Sequence, residues 1–204
     1  MSGAKVFLGG EGKNELGSRY GDPVYQSDES PGVIEALLRR VRPHGWTVMG
    51  ARRWREIHKL RAKGPTPNDE QNVLGLALEA RRAGANVLAF TRDADDDHQR
   101  PRLIAEAIRL ARQQNPAVSI VGAAAVPVLE AWILALQGES GTESMGKAAA
   151  QKRLIEKGIE AKNTQAMVDV VTKADINALP KDAESLRGWL ANAANALPTS
   201  SAES

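Results

Sequence analysis

Apolar runs and helical stripes alternate along roughly the first two thirds of the chain. "AKVFLGG" (4–10) is a short apolar run closed by glycines, the pattern of a buried strand. "GWTVMGARRW" (45–54), "ANVLAF" (85–90) and "AVSIVGAAA" (117–125) read as three more strands. Between them, "PGVIEALLRRVR" carries apolar residues at 33, 34, 37, 38 and 41, a helical stripe entered behind Pro31. "TPNDEQNVLGLALEARRAG" offers Asn68 or Asp69 as helix caps and a stop at Gly84. "RPRLIAEAIRLARQQN" starts a helix near Pro101, and "PVLEAWILAL" another behind Pro127. Residues 12–32, rich in Gly, Asp, Pro, Ser and Asn, read as a loop with room for a small hairpin. This alternation predicts βαβ units and an α/β fold with a mostly parallel central sheet flanked by helices. After Gly138 the pattern changes. A polar linker (139–143) leads into 144–197, where only helical periodicity is present. The expected organisation is an α/β domain over 1–138, a helical extension packed on it over 139–197, and a disordered tail over 198–204. There is no internal repeat.

Composition changes this picture little, and distribution changes it more. A chain of 204 residues, 42% hydrophobic and 25% charged, is ordinary for a globular protein, and a net charge of +2 names no partner. Between Arg39 and Lys63, however, basic residues face a single acid, Glu56, while acids gather near 11–35 and 93–97. A basic tract beside an acidic site suits a phosphate-rich substrate together with a cation. Arg52, Arg53, Arg55 and Lys59 are the candidates for phosphate contacts, with a solvated basic edge as the alternative. Trp46 and Trp54 in the same tract either stack bases or are buried. The absence of cysteine excludes disulfides, thiol nucleophiles and Cys-based zinc sites. No apolar run nears the ~20 residues that cross a bilayer. The start lacks the apolar length of a signal peptide, so no membrane association and a cytoplasmic location are the expectation.

The stretch "VLAFTRDADDDHQRP" sets an apolar run against aspartates at 93, 95, 96 and 97. In open parallel sheets, ligands bind beyond the carboxyl ends of strands. The first strand delivers Glu11 there, within "GGEGKNE", and the third delivers Asp93 and Asp95. At spacing i, i+2 in extended chain both aspartate carboxylates point the same way. Mg²⁺ is held by one or two protein carboxylates with waters and phosphates, whereas crowded carboxylates without a cation raise one another's pKa. A solvated acidic loop favouring the N-terminus of the next helix is the other reading, and the preferred one for Asp96 and Asp97. Glu130, on an otherwise apolar helix, is either a buried acid with a partner or a rim residue. His98 is either a ligand or proton shuttle, or an exposed loop histidine, and His44 and His58 fit no pattern. "GGEGKN" is not a phosphate-cradling loop. Its first Gly would fall at Phe7, and neither Ser nor Thr follows Lys13.

A Glu in a Gly-rich turn after strand one, followed by an Asp-x-Asp after a later strand, resembles the Toprim domain of topoisomerases, primases and small nucleases. "EGKNE" (Glu11 to Glu15) is similar to the "EGxxE" start of compact bacterial Toprim-like proteins related to the nuclease half of OLD-family proteins. "VPVLEAWILAL" (126–136) resembles a further segment of that group, and "SLRGWL" (185–190) its closing helix. The likeness spans residues 4–136 well and the tail weakly. It implies a Toprim-like Rossmannoid fold and a nuclease dependent on Mg²⁺ or Mn²⁺ that cleaves nucleic-acid phosphodiesters. Asp93 and Asp95 would hold the principal ion, Glu130 would complete the cluster, and Glu11 would act as general acid/base or second ligand. Glu15 would take a lesser part. Lys13, Lys147 and Lys152 are candidates for the basic residue that such sites set against the transition state. The resemblance also implies an ABC-type ATPase partner and a place in antiviral defence against phage. Two alternatives stay open: a non-catalytic module that binds nucleic acid or protein, and a metal-dependent phosphohydrolase acting on small substrates.

Overall fold

Successive strand residues divide between two cores, as the pleat requires. Val6 and Leu8 of β1 (Ala4–Gly10), Val87 and Ala89 of β3 (Val87–Asp93) and Val121 of β4 (Ser119–Ala125) enter one hydrophobic cluster. Phe7, Leu88, Phe90 and Ile120 enter the other. In the computed structural model, which describes residues 3–20, 30–57, 68–95, 97–160 and 162–197, these strands and β2 (Trp46–Arg53) form one sheet. Its order is β2-β1-β3-β4 and every pair is parallel. This is the α/β, Rossmann-like arrangement that the alternation of strands and helices predicts.

The helices follow from this order. β1 passes to its neighbour β2 through α2 (Val33–Val41), which packs on the first face. The chain then crosses back over β1 to β3 through α3 (Asn68–Arg82), and on to β4 through α4 (Arg100–Gln114), both on the second face. Connections of one hand place helices on opposite faces when the direction of travel reverses. The reversal lies between β1 and β3, so their carboxyl ends open the crevice where such folds bind ligands. Gly84, in the left-handed conformation at φ 74°, ends the α3 segment as its position in the sequence predicts.

The expected loop over 12–32 contains a one-turn helix, α1 (Lys13–Leu16), and a 3₁₀ turn (Gly17–Tyr20); residues 21–29 lie outside the described part. Four residues are too few for a periodic signal. Beyond α5 (Leu129–Leu136) come α6 (Lys147–Glu156), α7 (Thr164–Lys173) and α8 (Glu184–Ala196). Leu154, Met167, Leu186 and Trp189 from these helices join the cluster that holds Val6 and Leu8. Trp189 stacks at a tilt on Trp132, with ring centroids 6.2 Å apart, and donates its Nε1–H to the Phe90 carbonyl at 2.9 Å. The expected tail, 198–204, falls outside the described residues. Among the described residues, no helix is long and apolar enough to cross a membrane.

Candidate functional site

Glycine shapes the end of β1. A Cβ on Gly10 would stand 2.6 Å from the Glu15 Cβ, so the bare backbone leaves room for α1 to fold Glu15 back over the strand. Glu15 Oε2 accepts the Gly12 N–H at 2.8 Å, and the side chain is buried. Burial, reinforced by the neighbouring Asp93 charge, pushes its carboxyl up to about 7. Glu11, just past the strand, accepts the Asp93 N–H at 3.2 Å through Oε2.

At the end of β3, Asp93 Oδ1 accepts the N–H of Leu129, the first residue of α5, at 2.9 Å. Burial and then the Glu130 charge push the Asp93 carboxyl up to about 6, against that hydrogen bond. Glu130 is buried at the second position of α5, and its Oε1 faces Gln151 Nε2 of α6 at 3.4 Å. Glu11, Glu15, Asp93 and Glu130 therefore line one cleft of about 450 Å³, with Lys13, Asn14 and Lys162 beside them.

Asp95 is placed differently. The i, i+2 argument requires extended chain, but β3 ends at Asp93 and Asp95 sits at φ 53°. Its N–H donates to the Pro127 carbonyl at 2.8 Å. One carboxylate oxygen meets Lys147 Nζ at 2.7 Å and the other Arg100 Nη1 at 2.8 Å. Against the cost of burial, these two cations hold Asp95 below the usual carboxylate range, and the same contact raises the Lys147 ammonium. Asp95 is therefore absent from the cleft lining. The positive charge among the aspartates is, in this arrangement, Arg100 and Lys147. Arg92 pairs with Glu11 and lies over the Trp54 ring, 5.7 Å from its centroid. Arg100 also meets Asp69 at 3.2 Å.

The pattern of the sequence missed Arg92, Arg100 and Asp69. Arg92 directly precedes Asp93, but nothing local distinguishes Arg100 from other helix-start arginines. Asp97 Oδ1 accepts the Gln99 N–H at 3.0 Å at the start of α4, as expected of a helix-start charge, while Asp96 lies outside the described residues. His98 and His44 are exposed; His58 is outside the described part. Lys13 and Lys152 are exposed as well.

Among the described residues, much of the basic tract is paired. Arg52 Nε meets Glu79 at 2.7 Å, and Arg53 meets Glu56 at 2.8 Å. Both lie in register with Gly9 and Gly10, on the carboxyl edge of the sheet beside Glu11. Arg55 is exposed and Lys59 lies outside the described residues. Trp54 is buried with its ring 5.8 Å from that of Phe90, a place in the core rather than a platform for bases. Trp46 is half-buried and donates its Nε1–H to the Arg42 carbonyl at 2.6 Å.

By chemistry, four carboxylates and the Asn14 amide form an oxygen donor set suited to a hard divalent ion, with no sulfur or imidazole among them. A cation would also ionise two carboxyls that burial pushes towards neutrality. Against this, among the described residues no three acidic or histidine side chains stand ready to hold a single ion. No protein-family model matches the chain, and neither a curated protein nor a solved structure matches it.

Proposed function

We propose that the cleft is a phosphodiesterase site, dependent on Mg²⁺ or Mn²⁺, that cleaves nucleic acid as a Toprim-like nuclease does. One observation supports this best. Glu11 and Glu15, Asp93, and Glu130 come from three separate segments and line a single cleft at the switch point of the sheet. Asp93, with Glu11 and Glu130 beside it, would hold the ion, which when bound activates water and neutralises the leaving oxygen. Glu15, with its carboxyl near 7, is poised to hold or release a proton at neutral pH. Lys147, fixed by Asp95, sets a positive charge near Asp93 and Glu130. Arg52 and Arg53, along the same edge, would exchange Glu79 and Glu56 for backbone phosphates, Arg55 is exposed just after them, and Lys13 stands on the cleft rim. The ABC-type ATPase partner and the antiviral role rest on the resemblance alone.

A second reading, a binding module without turnover, draws on a different observation. Arg92, Arg100 and Lys147 already compensate Glu11 and Asp95 within the protein. Cleavage of DNA or RNA in Mn²⁺ separates the two readings. Asp93→Ala is expected to lower the rate by at least about a hundredfold, as loss of a metal-site group does. Equal cleavage by this variant, or none by the parent protein, rejects the nuclease. Heat of Mn²⁺ binding without turnover supports the module. Release of phosphate from mononucleotides would shift the substrate to small molecules.

A further inference from the structure

A second cavity, of about 690 Å³, adjoins the acidic cleft and shares Lys13 and Lys162 with it. The two differ in charge. Among the described residues, the cleft is lined by four carboxylates, whereas Glu160 is the single acid lining the cavity, beside both lysines and Ser18, Thr164 and Gln165. Lys13 and Lys162, remote in sequence, meet on this boundary because α1 and α7 are joined: Thr164 Oγ1 donates to Asn14 Oδ1 at 2.9 Å. An anion entering the cleft needs a cation to screen the carboxylates. The Ser18 and Thr164 hydroxyls already donate to the Ser30 carbonyl and to Asn14, and Gln165 gives one amide N–H to Asp169 at 2.8 Å, so an anion entering the cavity meets the two ammonium groups and the remaining Gln165 N–H. Adjacent sites of these two kinds fit a substrate carrying regularly spaced phosphates better than one carrying a single phosphate.

We propose that the cavity binds the phosphate of a polynucleotide that flanks the scissile one, so that the substrate class is a nucleic-acid strand and not a mononucleotide. This rests on the reading of the cleft as a phosphodiester site. Lys162 is the main electrostatic contact, and Gln165, which lines the cavity and not the cleft, faces the bound strand. The subsite carries no sequence information; it positions the strand.

The test uses the full chain with Mn²⁺, a single-stranded oligothymidylate and bis(p-nitrophenyl) phosphate. The variants are Lys162→Ala and Gln165→Glu. The second adds an acid in the first turn of α7, where a helix tolerates it. For each variant the ratio of kcat/KM for the oligonucleotide to that for the small diester should fall roughly tenfold, with a salt slope lower by about one for Lys162→Ala. An unchanged ratio, or an equal loss on both substrates, overturns the subsite. If the parent protein cleaves neither substrate, the reading of the cleft fails, and fluorescence anisotropy of the labelled oligonucleotide then judges the cavity alone. Weaker binding by both variants sustains the subsite, whereas equal binding, or none by the parent protein, overturns it.

Discussion

Glu15 shows how far a single position can depart from what its neighbours in sequence suggest. Within "EGKNE" it is one of two equivalent acids, and the motif gives it the lesser part. The fold buries it and leaves Glu11 half-exposed against Arg92. Its carboxyl is ordinarily near 4.5 and lies at about 7 in the folded chain, so the folded state binds the proton more tightly than the unfolded state. Stability from this group is therefore fully present below pH 4.5 and is lost as pH rises through 7, by about 3 kcal/mol in all. Asp93, at about 6 against 3.8, acts in the same direction over a lower window. Denaturant titrations without divalent ions should show stability falling from pH 5 to pH 8. Glu15→Gln keeps an oxygen for the Gly12 N–H and should remove most of that fall. An equally steep profile in the variant would mean that Glu15 titrates as an ordinary surface acid.

The strands and long helices are readable because burial and helix-start prolines leave a trace in the sequence: α2 falls where its apolar stripe predicts, and α4 and α5 begin beside Pro101 and behind Pro127, α5 being apolar all round but for Glu130 because every one of its residues is buried. The segment that positions the site left no such trace. α1 is one turn long, and its place is set by close backbone approach rather than by side-chain pattern. A Cβ on Gly32, at the start of α2, would lie 2.2 Å from the Glu15 carbonyl oxygen, so α1 and α2 meet with no side chain between them. Similarly, the Asp-x-Asp spacing is visible in sequence, but the end of β3 at Asp93 and the turn of Asp95 to positive φ are not. Extended geometry was the wrong local premise for Asp95, because Ala94 and Asp95 hydrogen-bond to the carbonyls of Ala125 and Pro127 instead of continuing the strand. The close approach is testable with alanine at two glycines. Gly32→Ala forces backbone apart and should destabilise by about 1–3 kcal/mol or more, displacing Glu15 with α1. Gly188→Ala, on the exposed side of α8 with open space around its Cβ, should stabilise by about 0.5–1 kcal/mol. Similar shifts for both in thermal unfolding would refute the close approach.

At the scale of the molecule, the polar stretch 139–143 reads in sequence as a seam, since local polarity says nothing about which face a later segment covers. In the fold that stretch is tied on both sides. Glu143 Oε1 accepts the backbone N–H and the hydroxyl of Ser185, each at 2.7 Å, and Ser185 Oγ accepts Trp132 Nε1–H at 2.7 Å. This chain of hydrogen bonds links the start of α8 to α5, the helix that carries Glu130. Lys147 and Gln151 of α6 reach Asp95 and Glu130 from the same side. The tail therefore contributes both to the apolar layer under the sheet and to the ionic setting of the cleft. If the layer is continuous, α8 cannot unfold and leave the rest intact, because Trp189 is fully buried in the same cluster as Val6 and Leu8 of β1. Unfolding followed by tryptophan fluorescence and by far-UV circular dichroism should then give coincident curves with one midpoint. Trp189→Ala should lower that shared midpoint through a loss of about 3–5 kcal/mol in unfolding free energy, the cost of emptying a large core site, and Leu8→Ala should move the same transition. Two separable transitions, with Trp189→Ala shifting only the earlier one, would mean that α6–α8 form a unit whose stability is independent of the sheet, and that the hold of Lys147 on Asp95 is a contact the rest of the site can lose without unfolding.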